Sequence, residues 1–263
     1  MNLDALFSDM DAAGTTPFPI RDAVAAVFRI GSHSHGTHIP PEDEHGIDDL
    51  DLMVIVIPPA RNRLGLTRYE HSSYKVGHWD VVVYDWSKYI GLLMKQNPNV
   101  VGTLWLEDED VLYSSPEFEE VQRMRQYLMS QQLHPSFIGY ARGQMHKMRH
   151  HASQGYMGEK RKRLVERHGY DCKNAAHLLR LLYMAVETLK TGTMKVRRPE
   201  TEATFLKDVK RGRFDLETIE NVAAAMFAAA DDALRTTPLR HEPNAFLADR
   251  LIVDGYLNHW RPL

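Results

Sequence analysis

The chain has a single cysteine, Cys172, among 263 residues. A lone thiol cannot close an intramolecular disulfide, so no covalent staple supports the fold, and this usage fits a reducing compartment. Cys172 sits in a helical stretch, which marks it as a small core residue rather than a nucleophile. Long apolar runs are also absent. None approaches 18 residues, the length a membrane-spanning helix requires. Residues 1–19 are acidic and lack a basic segment followed by an apolar one, so no secretory leader is expected. There is no internal repeat, no low-complexity tract and no long linker. Net charge is only −3, too small for the molecule as a whole to act as a polyelectrolyte binder. These absences predict a soluble cytoplasmic protein without membrane association.

What is present is ordinary in amount and uneven in distribution. Hydrophobic residues make up 43% and charged residues 25%, the proportions of a globular protein. The length suffices for one large or two modest domains with a real core. Residues 1–60 carry ten acids against two bases, Arg21 and Arg29. Residues 142–168 carry eight Lys and Arg against two acids, Glu159 and Glu166. An acidic half facing a basic half suits an enzyme that brings cations to phosphates; two solvated surfaces would give the same letters.

The first half reads as mixed α and β. Val24 to Ile30, Leu52 to Ile57, Val81 to Tyr84 and Val111 to Tyr113 are apolar runs that suit strands covered on both faces. Trp86 to Gln96 has helical periodicity, ended by Asn97-Pro98-Asn99, after which Val100 to Leu106 resumes as a helix. From Pro116 the pattern is helical almost throughout, with helices expected over 116–131, 135–152, 158–168, 173–191, 200–210, 216–234 and 244–260.

The most informative stretch is Arg29-Ile30-Gly31-Ser32-His33-Ser34-His35-Gly36-Thr37, followed by Asp48-Asp49-Leu50-Asp51-Leu52-Met53-Val54. Strand side chains alternate, so Asp49 and Asp51 share a face. Two carboxylates that close repel each other unless a cation lies between them. Mg²⁺ supplies that charge, prefers hard oxygen ligands and keeps room for phosphates and water. Gly31-Ser32 ends a strand and is expected to open a helix, where glycine lets backbone N–H groups approach an anion. Asp80 opens the next apolar strand and is the candidate third carboxylate. Asp85 falls on the other face of that strand and reads as the N-cap of the helix starting at Trp86. Each piece also has a plainer reading, since an Asp-x-Asp before an apolar strand can simply solvate a strand end. The order is what carries the signal: strand, Gly-Ser, Asp-x-Asp strand, Asp strand.

These residues resemble the nucleotidyltransferases of the DNA polymerase beta superfamily. More closely, the chain is similar to the predicted nucleotidyltransferases associated with RNA repair (RlaP-like) and their phage relatives. Gly31-Ser32, Asp49-Leu50-Asp51 and Asp80 carry the match. It continues through Asp80 to Tyr84, Asn97-Pro98-Asn99, Tyr140-Ala141-Arg142-Gly143-Gln144 and Gly169 to Arg180. The likeness covers roughly residues 25–190. One departure is the stretch Ile39 to Gly46, which lengthens the spacing between Ser32 and Asp49.

The resemblance implies an α+β fold: a small mixed nucleotidyltransferase sheet with flanking helices, followed by a mainly α-helical C-terminal domain. Residues 1–130 would be the polymerase-beta-like domain and residues 131–263 the helical domain completing the cleft. It also implies chemistry. A hydroxyl attacks the α-phosphate of a nucleoside triphosphate and pyrophosphate leaves, with Mg²⁺ (or Mn²⁺) held by Asp49, Asp51 and Asp80. Asp80 would serve the attacking hydroxyl. Gly31, Ser32 and His33 would belong to the triphosphate loop. The acceptor implied by the family association is RNA, tRNA-like in kind.

In the helical half, Lys173, His177 and Arg180 recur at i, i+4 and i+7 and share a helix face able to grip triphosphate oxygens. Asn174 is a candidate donor to base or ribose, and Asp171 a candidate N-cap. The basic stretch 142–168, with Tyr140 and Tyr156 available for stacking, suits a nucleic-acid backbone. A solvated amphipathic face explains both patterns equally. His33-x-His35, with His38 and His45 nearby, leaves open a zinc site and therefore a metal-dependent phosphodiesterase or other metallohydrolase. A non-catalytic RNA-binding module is a third reading, disfavoured by the intact carboxylates. The run Glu107-Asp108-Glu109-Asp110 is expected to be a solvated turn.

Overall fold

The computed structural model describes residues 2–14, 16–46, 48–149 and 159–260. Helix α1 (Leu3–Ala12) precedes strands β1 (Val24–Ile30) and β2 (Leu50–Val56). A short helix α2 (Ala60–Leu64) leads to β3 (His71–Val76), β4 (Trp79–Asp85) and helix α3 (Trp86–Met94). After β5 (Val111–Ser114) come α4 (Pro116–Arg123), α5 (Arg125–Leu128), α6 (Leu133–Arg149) and α7 (Glu159–His168). The last helices are α8 (Cys172–Thr191), α9 (Glu200–Lys210), α10 (Leu216–Arg235) and α11 (Ala245–Trp260). The architecture is α+β: one mixed sheet with flanking helices, then a helical region. No helix among the described residues is long and apolar enough to cross a membrane.

The five strands lie in the order β3-β4-β2-β1-β5. β2 and β4 are parallel, and the other neighbours are antiparallel. Strand parity then sorts the side chains. Leu52, Val54 and Val56 of β2 join Val81 and Val83 of β4 in a smaller core under α1. Met53 and Ile55 face the other way, into the large core shared with the helices. Asp49 and Asp51 have the parity of Met53, so the strand aims its acidic end at the helical half. The β2–β4 register sets Asp51 beside Asp80, and the β1–β2 register sets Ile30 beside Asp51.

Helix α8 is the centre of the helical region, packing on α6, α9 and α10. Its inward side is Ala175, Leu178, Leu179, Leu182 and Ala185, all fully buried. Asp171 caps it, accepting from the backbone N–H of Lys173 at 3.1 Å and of Asn174 at 3.2 Å. Gly192 ends it in a left-handed conformation. One continuous core runs from the inner face of the sheet through α6, α8, α10 and α11, across the expected boundary at residue 130. Asp85 fastens this join. It caps α3 through the N–H groups of Ser87 and Lys88 and also accepts from the Tyr256 hydroxyl on α11.

Several local expectations are corrected. Gly31 to Gly36 is a series of hydrogen-bonded turns, not a helix, because two of its glycines, Gly31 and Gly36, take positive φ of 72° and 70°. The expected helix over 116–131 is broken into α4 and α5 at Met124. Val101–Trp105 winds as a 3₁₀ turn. Strand β3 and helices α1 and α2 had no counterpart in the sequence reading. β3 is a sheet edge whose alternating burial leaves polar side chains outward, so it contains no apolar run. His150, His151 and Tyr156 of the basic stretch lie outside the described residues, as does Ile47.

Candidate active site

A cavity of about 300 Å³ opens where the sheet meets α8. On the sheet side it is lined by Gly31, Ser32, Asp49 and Asp51, and on the helical side by Lys173, His177 and Arg180. Pro98, Asn99, Gly102 and Thr103 close a third side. Seven of the candidate residues thus line one space, although the two groups are 122 positions apart in the chain at their nearest, Asp51 to Lys173.

Gly31 is required by its neighbour. A Cβ there would lie 2.2 Å from Asp51 Oδ2, at a φ that side chains rarely adopt. The following turn is stitched by Gly36 N–H to His33 O at 2.9 Å and Thr37 N–H to Ser32 O at 2.9 Å. Ser32 Oγ lies 3.1 Å from His38 Nδ1, and the His38 ring stacks on His33 with centroids 4.0 Å apart. His33 is not in the cavity lining. His35 does line it, with Nδ1 3.1 Å from the Val196 carbonyl. The histidine pair is therefore arranged by a turn rather than by an extended segment. Among the described residues no three His, Cys, Asp or Glu side chains gather closely enough to hold an ion as they stand.

The carboxylates instead engage lysines. Lys173 Nζ donates to Asp49 Oδ2 at 3.1 Å, and Lys75 Nζ lies 3.4 Å from Asp80 Oδ1. Asp51 has no such partner among the described residues, and its pKa is pushed up to about 6. Burial is the main cause, followed by Asp49, while Lys173 opposes them and Asp80 and Asp48 add to the rise. Asp80 is outside the main cavity. It lines an adjoining recess with Ser73 and Lys75, and Asp51 and Ile30 belong to both spaces. This donor set fits a divalent cation: oxygen ligands only, two on adjacent strand positions, and a half-buried carboxyl whose negative charge is disfavoured by its neighbours.

The basic wall is unusual for a protein surface. Arg180 is only 7% exposed. Its guanidinium has no carboxylate partner among the described residues; Nη1 meets Met184 Sδ at 3.2 Å and Nε is unsatisfied. Burial, then Arg198, lowers its pKa to about 10. A buried, unpaired guanidinium costs stability and is normally paired. Here its open side is the cavity. His35 and His177 are held well below the ordinary imidazole pKa by burial first and Arg180 next. Asn174 is turned away, donating from Nδ2 to Asp171 Oδ2 at 2.9 Å, so this candidate does not reach the cavity.

Three features were not anticipated. Asp48 and Lys210 form a buried ion pair at 2.7 Å, and Lys210 also donates to Thr37 O at 2.8 Å. Asp48 further accepts from Ile39 N–H at 2.9 Å. This pair ties the stretch before Asp49 to the end of α9. The acidic run at 107–110 is no solvated turn: Arg197 bonds Glu107, Glu109 and Asp110, and Arg29 lies near Asp110. Lastly, the basic stretch is partly consumed internally. Arg149 pairs with Glu220, Arg161 with Asp171 and Lys162 with Glu159, while Lys160 donates to the carbonyls of Pro41 and Asp43.

An acidic strand end thus lies opposite a basic helix face across one cavity, joined by a glycine turn. The model of the RNA repair pathway DNA polymerase beta family (RlaP) matches residues 22–253, and the chain belongs to that family. Membership supports a nucleotidyltransferase-type function, and so an enzyme. No curated protein matches the chain. Among solved structures, a nucleotidyltransferase-like protein from Exiguobacterium sibiricum 255-15 is similar at 11% identity and a TM-score of 0.29, over 97% of this chain and 76% of that one.

Proposed function

We propose that the protein is a Mg²⁺-dependent nucleotidyltransferase that moves a nucleoside monophosphate from a triphosphate to a hydroxyl of RNA, tRNA-like in kind, releasing pyrophosphate. Mn²⁺ would substitute for Mg²⁺. The observation that carries this reading is the single cavity lined by Asp49 and Asp51 on one side and by the unpaired Arg180 with Lys173 on the other. Family membership supports the class of reaction.

In this reading Gly31 offers close backbone approach, and Ser32, Lys173 and Arg180 hold the phosphate oxygens. Asp49, Asp51 and Asp80 hold the cation, which when bound supplies Lewis-acid stabilisation of the charge that develops on the phosphoryl oxygens. Asp49 would hold the cation in place of its present partner Lys173, whose ammonium would hold phosphate. The recess beside Asp80 receives the acceptor hydroxyl, and the Asp80 carboxylate takes its proton. The division at residue 130 is then one of labour: residues 1–130 bring the carboxylates, and residues 131–263 bring the cations that hold phosphate.

The test is transfer itself. The protein is incubated with Mg²⁺, each α-labelled nucleoside triphosphate and cellular RNA, beside Asp49→Ala and Asp51→Ala. Label should enter RNA only with the intact acids, and each substitution should lower transfer about 10³-fold or more, since this electrostatic stabilisation is worth several kcal/mol. Full activity in both variants would remove the metal assignment. Label on protein would change the acceptor.

A further inference from the structure

His177 stands in the cavity wall with Lys173 one helical turn before it and Arg180 nearly one turn after. Its ring forms no hydrogen bond with any described residue. The charged groups facing it come from several elements. Lys173 and Arg180 belong to its own helix. Lys210 reaches in from α9, ion-paired to Asp48, and Arg161 from α7, ion-paired to Asp171. His35 approaches from the turn, fixed by the Val196 carbonyl. Across the cavity stand Asp49, engaged by Lys173, and Asp51. A smaller enclosed space behind the main cavity is shared by Ser32, His35, His177, Arg180 and Lys210. Burial, then Arg180, Lys210, Lys173 and Arg161, hold the pKa of this ring well below the ordinary imidazole value.

A polyanion entering here reverses the local field. It meets three cationic side chains, Lys173, Arg180 and Lys210, and two rings that each have a nitrogen able to become a donor. We infer that this end of the cavity is a subsite for inorganic polyphosphate which binds its anion together with a proton, and that His177 is the group that takes the proton up. The proton comes from solvent, one N–H bond forms, and imidazole becomes imidazolium. His177 is chosen over His35 because neither of its ring nitrogens is bonded to a described residue, so both can face the anion, whereas His35 Nδ1 is already held 3.1 Å from the Val196 carbonyl and leaves one nitrogen for it. The inference rests on the reading that the cavity takes a triphosphate, and it adds that the affinity is linked to pH by a named side chain.

The experiment is calorimetric titration of the full chain with inorganic pyrophosphate, without divalent cation, in two buffers of different ionisation enthalpy. Wild type is compared with His177→Gln and His35→Gln. Protonation of pyrophosphate itself is common to all three, so the differences isolate the protein. Wild type should take up more protons than His177→Gln, by up to about one, and its affinity advantage should shrink about tenfold from about pH 6 to about pH 8. Equal uptake in wild type and His177→Gln, loss of uptake in His35→Gln alone, or no pyrophosphate binding by wild type would each overturn the inference. Should His177→Gln fail to fold, the imidazole carbon shifts of labelled wild type decide. The His177 signal must move to the imidazolium position on saturation, and a static signal overturns the proposal. The two readings fail separately. Proton-linked pyrophosphate binding without nucleotide transfer removes only the transferase reading, and transfer with proton-independent pyrophosphate binding removes only this one.

Discussion

Lys173 Nζ donates to Asp49 Oδ2 at 3.1 Å, joining the first turn of α8 to the residue before β2. The contact spans the cleft and links the acidic and basic walls of one cavity. Asp49 is more than half exposed, so solvent screens the pair and the contact is weakly held. The consequences for the neighbouring residues can be measured.

Gly31→Ala should disable the site while leaving the fold. A methyl group at that position would overlap Asp51 Oδ2 and must adopt a left-handed backbone. The strain is about 1–3 kcal/mol, and displacement of one carboxylate should lower transfer at least about tenfold. Thermal melting and transfer assays together measure both effects. Wild-type activity with alanine here would mean that Asp51 does not need its present position.

Arg180→Met separates function from stability. Removing a buried guanidinium that lacks a carboxylate partner should leave stability unchanged or raise it, because its desolvation is uncompensated. Apparent KM for the nucleotide should rise. Urea denaturation and steady-state kinetics give the two numbers. A large loss of stability with unchanged KM would make Arg180 a structural residue.

Asp48 and Lys210 predict the opposite. Both are buried and bonded to each other, so Lys210→Met leaves an unpaired carboxylate and should cost about 3–5 kcal/mol in denaturant unfolding. The double change Asp48→Leu with Lys210→Met should recover part of that loss. A double-variant cost equal to the sum of the two single-variant costs would mean that the pair is not coupled.

The buried imidazoles set a pH dependence of stability. His35 and His177 have native pKa values well below the unfolded value of about 6.5. The unfolded chain therefore binds more protons than the native one below that pH. The stability from keeping both rings neutral is present above about pH 6.5 and declines as pH falls below it. Unfolding free energy measured from about pH 8 to about pH 5 should fall, and His35→Gln should flatten the slope. A curve unchanged by that substitution would place the pH dependence elsewhere.

Much of this was legible from residue patterns. β1, β2, β4 and β5 follow apolar runs, and α3 and α6 to α11 follow amphipathic periodicity with breaks at Gly, Pro and polar clusters. Asp85 as the cap of α3 and Asp171 as the cap of α8 needed only their neighbours. Lys173, His177 and Arg180 share a face because a helix repeats every 3.6 residues. Edge strand β3 was illegible because its side chains are polar on the open face. The socket of Arg197 and the Asp48–Lys210 pair were illegible because each joins segments about 90 or more positions apart, with no local signal.

The sequence by itself determined which residues are acidic strand ends, which form a basic helix face, and that a glycine stands between strand and turn. These are consequences of backbone period and local sterics. Only the tertiary structure decided that the helix face points into the cleft rather than to water, that Asn174 does not, and that Arg180 is buried without a carboxylate partner among the described residues. Burial and pairing depend on which distant segments pack together, and the free energy of a charge is set by that packing rather than by its place in the chain.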